Sequence, residues 1–404
     1  MTGPKVTDGA GLLADAGRLL DDMVALRRDL HTHPELGLEL PRTQRVVLEA
    51  LDAMGLVLEE GRATTSVVAV LEGDRPGPTT LLRGDMDALP MPEDTGLPYA
   101  SATPGVMHAC GHDAHTAMLV GAARILHARR GELAGRVVFM FQPGEEGHAG
   151  ARVMLDEGLL DGHGPVERAF AIHATPLMPS GWIATRAGTL MASADAFRIV
   201  VTGRGGHASM PHDAVDPVPV ACELVGALSS MVTRRVSAFD PAVVTVSSIR
   251  AGTTSNVIPE TAVLEGTVRA VSDATRASVL EALARVAEHV AAAHLCSAEL
   301  TYTQTGYPVT VNNAAASRHV MDVAAELLGS QQAREMPAPV MGAEDWSFVL
   351  QKVPGAMAFL GMAPAGVAQP APNHSNRMVI DEQAMVAGAA MHAAVALSPV
   401  SGGA

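Results

Sequence analysis

With 404 residues, 48% of them hydrophobic but only 3% aromatic, the chain can bury more than one ordinary domain's core, built from Ala, Val, Leu and Met. A formal net charge of -15 excludes nucleic acid and anionic membrane surfaces as expected partners, because both demand a basic face. An anionic small molecule stays admissible, since a local arginine or cation can dominate the field at a site. No apolar stretch reaches membrane-span length, and Met1 to Ala16 lacks the basic start and apolar core of a secretory signal. Three cysteines, Cys110, Cys222 and Cys296, are an odd and sparse set, so the expected compartment is the reducing cytoplasm.

The apolar stripe Leu19, Met23, Leu26 and Leu30 predicts a first helix, and Pro41 to Gly55 a second, with proline at its start and glycine at its end. Strands are expected over Ser66 to Leu71 and Thr79 to Leu82, the latter running into Arg83-Gly84-Asp85-Met86-Asp87. Helix Ala114 to Ala128, strand Arg136 to Phe141, a short helix Ala149 to Glu157 and strand Ala169 to His173 follow. This alternation is that of an α/β domain with a mostly parallel sheet covered on both faces.

The pattern changes near Ala187. Strand Ala196 to Thr202, helix Asp216 to Arg235, strands Ala242 to Ile249 and Thr261 to Arg269, helix Ala274 to Ala293 and strand Ser297 to Thr303 make a βαββαβ order. That is a ferredoxin-like α+β unit with a four-stranded antiparallel sheet. The α/β pattern resumes after Tyr307 with helix Ala314 to Leu328. The expected organisation is thus a discontinuous domain, 1–186 with 307–404, interrupted by an inserted domain, 187–306. Open edges on the small sheet suggest pairing with a second copy, making it a dimerisation or lid domain. Cys222 and Cys296 fall in Ala/Val/Leu-rich helical patterns and read as core, and a Gly/Ala-rich tail follows Ser398.

His108 to His115, H-A-C-G-H-D-A-H, holds three imidazoles, a thiol and a carboxylate just ahead of an apolar helix. Core packing does not explain such a density of borderline ligands; half of a metal site does. Gln142-Pro143-Gly144-Glu145-Glu146 and His173 supply the other half, each where a strand runs out. In parallel sheets ligands bind beyond the carboxyl ends of the strands, which is also where Asp85 and Asp87 fall. Hydrolysis at the metal is the expected chemistry.

The segments LRRDLHTHPELG, LLRGDMDALP, MHACGHDAHTAM, FQPGEEG, GRGGHASMPH, SNVIPETAVLEGTVR, GAEDWS and PNHS extend the pattern from Leu26 to Asp381. Together they resemble the co-catalytic metallo-amidohydrolases: aminoacylase, carboxypeptidase G, hippurate hydrolase and the plant auxin-conjugate hydrolases. Asp85-Met86-Asp87 stands where aminoacylases and carboxypeptidases carry a His-x-Asp ligand motif. Cys110 stands where their bridging Asp lies, which is similar to the hippurate and auxin-conjugate branch.

That resemblance implies Cys110, His112, Glu146, His173 and His374 as ligands of two divalent ions, Zn2+ or Mn2+, with Co2+ or Ni2+ as further candidates. It implies Asp87 behind them, accepting a hydrogen bond from a ligand histidine, and Glu145 as general base. It also implies that His207 polarises the scissile carbonyl from a partner subunit, and that Asn256 and Arg269 grip substrate oxygens. His115 is expected to support the site from behind. His31 and His33 match a segment with no metal role and read as capping or loop-fixing residues. His148 and His163 read as surface loop, Glu344 and Asp345 as support for the metal end, and Trp346 as packing beside the cleft.

The expected function is hydrolysis of N-acyl-amino acids to a carboxylate and a free amino acid, by a homodimer or a tetramer. A dipeptidase or carboxypeptidase is the rival enzyme, and a catalytically silent binding protein the rival of another class. The acyl group, the amino acid and the metal stay open.

Overall fold

The computed structural model describes residues 8–302 and 306–399. The first seven residues of the segment read for a secretory signal, the Thr303 end of the last predicted strand and most of the tail after Ser398 lie outside them. The chain divides into two compact units, Met1–Leu190 with Val311–Ala338 and Asp345–Ala404, and Met191–Thr310 with Pro339–Glu344. The joins read from the sequence at 187 and 306 differ from these by four residues each, and the return of 339–344 to the second unit leaves no mark in the alternation pattern.

In the first unit the predicted stripe from Leu19 to Leu30 lies on α2 (Leu20–Thr32), and a helix not read from the sequence, α1 (Gly9–Arg18), precedes it, with Leu19 between the two. Next come α3 (Pro41–Leu51), β1 (Val57–Glu60), β2 (Val67–Glu72), β3 (Arg75–Asp85), α4 (His112–Ala128), β4 (Ala134–Gln142), α5 (Gly150–Asp156), β5 (Val166–Thr175) and β6 (Ile183–Thr185).

The second unit follows in the chain: β7 (Asp195–Thr202), α6 (Pro217–Arg235), β8 (Ala242–Ala251), β9 (Thr261–Ala270), α7 (Asp273–Ala293) and β10 (Ser297–Tyr302). Its four strands lie in the order β8-β9-β7-β10, every pair antiparallel, the expected βαββαβ arrangement. Strict alternation on β9 puts Ala262, Leu264, Val268 and Ala270 on the helix-covered face with Phe197, Ile199 and Val201. Asp216 and Ser272 cap its two helices through Val218 N and Thr275 N.

The first unit closes with α8 (Ala314–Leu328), β11 (Ala333–Glu335), β12 (Gly355–Gly361) and α9 (Met385–Leu397). Its eight-stranded sheet runs β1-β2-β4-β3-β5-β12-β6-β11. The centre, β4-β3-β5-β12, is parallel, whereas β1, β2 and β6 introduce antiparallel pairs. The central strands are buried on both faces, as near-continuous apolar runs require. Helices α4 and α9 are buried almost all round and pack on each other, which the Ala and Gly content of both permits. Among the described residues no helix is long and apolar enough to cross a membrane.

Register places the site. Asp85 pairs with Gln142 across β3 and β4, and Arg83 with Ala171 across β3 and β5. The carboxyl ends of three adjacent parallel strands therefore meet the amino end of α4 at one edge of the sheet.

Candidate metal centre

Cys110 and His112 flank Gly111, whose φ of 89° sets the turn into α4; a Cβ there would come within 3.0 Å of the Ala174 side chain. Gly144, at φ 70°, plays the same part before Glu145, where a Cβ would meet Leu38. These two tight turns aim the thiol, His112 and the Glu145-Glu146 pair at one point.

Donor atoms of Cys110, His112 and His173 lie within 4.8 Å of one another, and so do those of Cys110, Glu146 and His374. Cys110 belongs to both triads, so the cluster has the form of two sites sharing one sulfur. The imidazoles present the right nitrogens. His112 Nδ1 is 2.8 Å from the Asp87 carbonyl and His173 Nδ1 is 2.8 Å from the Ala174 carbonyl. Each therefore donates through Nδ1 and turns an Nε2 lone pair inward. His112 Nε2 lies 3.3 Å from Asp85 Oδ2, and His173 Nε2 lies 3.4 Å from Cys110 Sγ. His374 Nε2 is 3.1 Å from Glu146 Oε1.

The electrostatics fit cations. Burial, and next to it the Glu146 charge, raises the Cys110 pKa, so protein charges alone keep the thiol protonated. A thiolate becomes stable there only with positive charge alongside. Burial, helped by His115, holds His173 well below the usual imidazole range, in the neutral form a ligand needs. Contacts with Cys110 and Glu146 push His374 up to about 10. Divalent ions would therefore displace protons from Cys110 and His374 on entering.

Behind the donors lies a fully buried polar ladder. His115 takes the Ala174 amide on Nε2 at 2.7 Å and donates through Nδ1 to Asp85 at 2.5 Å. Asp85 is paired with Arg83 at 2.7 Å, and Arg83 Nε reaches Gln142 at 2.9 Å. Gln142 donates to both Asp345 oxygens, at 2.8 and 2.9 Å, and Asp345 also accepts the Ala151 amide. His115 and Asp345 thus back the metal end as expected. Arg83 and Gln142, quoted in the sequence only as parts of motifs, are the missing rungs; an arginine inside a buried strand run is the signal that could have found them. Glu344 falls in the second unit. Trp346 is fully buried.

Asp87 stands at His112, its carbonyl 2.8 Å and its carboxylate 3.3 Å from Nδ1, and the carboxylate also accepts the amides of Glu145 and Glu146 at 3.0 and 2.9 Å. Asp87 therefore shapes the turn that carries the base. Glu145 is buried, and its carboxylate lies within 4.8 Å of the His112 and Glu146 donors.

His31 lies inside the last turn of α2, buried, 2.8 Å from Asp113 at the start of α4 and 3.2 Å from Glu93 in the loop after β3, with Arg27 also on Asp113. His33 does terminate the helix. His148 is exposed as expected, but His163 is buried, its ring 3.7 Å from Glu59. Cys222 is exposed rather than core, because it occupies the outer face of α6, while Cys296 is buried.

In the second unit His207 and Asn256 share a two-stranded ribbon: His207 pairs with Val257, and Ala208 N donates to the Asn256 carbonyl at 3.1 Å. Ser209 Oγ holds His207 Nδ1 at 2.7 Å, leaving Nε2 outward. Arg269 lies near the end of β9 opposite Val243, its pKa lowered by partial burial.

A donor cluster of this type at the carboxyl edge of a parallel-rich sheet marks a metallohydrolase. The chain belongs to peptidase family M20/M25/M40, whose model matches residues 81–398. It is 37% identical over 386 residues to thermostable carboxypeptidase 1 of Saccharolobus solfataricus, covering 95% of this chain and 96% of that one. It is 40% identical over 387 residues to IAA-amino acid hydrolase ILR1-like 2 of Arabidopsis thaliana, covering 95% and 86%. The crystal structure of a Bacillus subtilis dinuclear metal-binding peptidase of the M20 family superposes with a TM-score of 0.80 at 34% identity, over 94% and 98% of the two chains. The protein is a metal-dependent hydrolase acting on amides, an enzyme rather than a silent binding protein.

Proposed function

We propose that the enzyme hydrolyses N-acyl-amino acids at a two-metal centre. The observation that carries this reading is the pair of donor triads sharing Cys110. Cys110, His112, Glu146, His173 and His374 would hold two divalent ions, Zn2+ or Mn2+, with Co2+ or Ni2+ as alternatives. When bound, such ions supply Lewis acidity to the amide oxygen and lower the pKa of water to near 7.

The protein's own groups do the rest. Glu145 takes the proton from the attacking water and later returns it to the departing amine. Asp87 holds the Glu145 and Glu146 amides so that the two neighbouring carboxylates diverge, one to base and one to ligand. By the family resemblance, His207 of a second copy donates to the developing oxyanion, while Asn256 and Arg269 bind the substrate carboxylate. The likeness to a hydrolase of IAA-amino acids supports the acyl part of this reading.

A dipeptidase or carboxypeptidase is the second reading, because a carboxypeptidase is also 37% identical over 386 residues. The deciding experiment is turnover by the metal-reconstituted enzyme on N-acetyl, N-benzoyl and long-chain N-acyl amino acids beside a set of dipeptides. Hydrolysis of the acyl series is the expected result. Dipeptide turnover with an inert acyl series would replace the proposal by the second reading.

A further inference from the structure

His374 is the weakest-anchored member of the donor cluster. It stands on a loop, its side chain is half exposed, and its backbone is left-handed at φ 66°, a conformation that non-glycine residues rarely hold without outside support. Its own amide donates to the Ala109 carbonyl at 2.7 Å. The residue before it provides more. Asn373 Nδ2 donates to the Cys110 carbonyl and to the Ala174 carbonyl, both at 3.1 Å, and lies 4.0 Å from Cys110 Sγ. That same Ala174 carbonyl takes the Nδ1 proton of His173. One primary amide, with its two coplanar N–H groups, therefore joins the backbone of Cys110, the acceptor that orients His173 and the loop that carries His374.

We propose that Asn373 is a positioning residue for the dinuclear centre: its amide pins the His374 loop so that both donor triads close on one sulfur. The inference rests on the reading that Cys110 bridges two ions. Without the amide, the tie to Ala109 and the contacts of Asn376 and Arg377 with Asp94 remain, but nothing joins residue 373 to the Cys110 and Ala174 carbonyls, and the Glu146–His374 half of the centre loosens first. Both N–H groups are taken by the two carbonyls, so the amide acts on the sulfur by holding the backbone of Cys110 in place.

The test uses the full-length protein loaded with Co2+, whose thiolate-to-metal charge-transfer band reports the sulfur directly. Wild type, Asn373→Ala, Asn373→Asp and Cys110→Ser are titrated with cobalt, and the thermal midpoint of each metal-free protein is recorded. Asn373→Ala should weaken the more loosely held ion about 10- to 100-fold, the usual effect of removing an outer hydrogen bond. Its band should weaken as the loosened ion is lost, and its metal-free midpoint should stay near wild type. Asn373→Asp, which keeps the shape but has no N–H to give, should behave alike and serves if the alanine variant does not fold. Unchanged affinities and an unchanged band overturn the proposal, as does a fall in the metal-free midpoint that accounts for the lost affinity. Cys110→Ser separates the two ideas: a band that survives it removes the bridging reading itself, whereas a band it abolishes, with Asn373 variants like wild type, removes only Asn373.

Discussion

Glu145 and Cys110 divide the chemistry between a mobile proton and a fixed charge. Glu145→Gln preserves shape and the contact between its side-chain oxygen and the Asp345 amide, but it cannot accept a proton. Turnover should fall by about a hundredfold or more, within the 10²–10⁴ usual for a general base, while metal content stays constant. Measuring both on one sample checks this; wild-type turnover would remove Glu145 from the mechanism. Cys110→Ala takes one donor from both triads. It should cost at least one ion per chain and most of the activity, because the thiolate is ligand and charge compensation together. Elemental analysis that finds unchanged metal with full activity would make Cys110 a packing residue.

Elements meet through buried charge. The ladder from His115 through Asp85, Arg83 and Gln142 to Asp345 ties the ends of β3, β4 and β5 to α4 and α5. Asp345→Leu leaves Arg83, Gln142 and the Ala151 amide facing an apolar side chain. The expected loss is roughly 3–5 kcal/mol, as for other broken buried pairs, read by chemical denaturation of the metal-free protein. A loss under about 1 kcal/mol would mean that the ladder is solvated or redundant. The knot of α2 on α4 behaves differently because it titrates. Burial pulls the His31 pKa down, but hydrogen bonds to Asp113 and Glu93 more than offset this and carry it to about 9. A folded pKa above the ordinary value near 6.5 stabilises fully below about pH 6.5, and that contribution is lost as pH rises through 9. The denaturation midpoint should therefore fall across this window, and His31→Asn should flatten the slope. A wild-type midpoint that holds level to pH 9 contradicts the ion pair.

At the scale of the whole molecule the open question is the second unit. If His207 serves the metal centre of a partner, two inactive variants, His207→Ala and Glu145→Gln, should regain activity when mixed under conditions that exchange subunits. One site of each hybrid then holds both an intact base and an intact donated imidazole, whose hydrogen bond to the oxyanion is worth roughly 2.7–4 kcal/mol. Verified exchange without recovery leaves His207 acting within its own chain or not at all. A stable monomer with full activity would end the idea of donation.

The alternation of apolar runs with amphipathic helices made the parallel centre of the large sheet and the βαββαβ unit readable, because both periodicities are local properties of a few residues. The donor cluster was legible for the same reason: His112 and Cys110 are neighbours in the chain, and Gly144 follows the end of β4. Strands β1 and β11 are short, partly polar edge pieces and β6 is three residues long, and no window of sequence reveals their pairing. Burial followed the same division. Cys222 lies in an apolar helical pattern yet faces outward, and His163 lies in a glycine-rich loop yet is covered, because each depends on which distant segment packs over it. The amino-acid sequence by itself determined the periodic elements and the chemistry of the site. Only the tertiary structure decided that Asp87 grips two backbone amides, that Arg83 and Gln142 join His115 to Asp345, and that Asn373 ties three ligand segments together. Those bonds span from 58 to 263 residues of chain, and contacts at such separations carry no local signature.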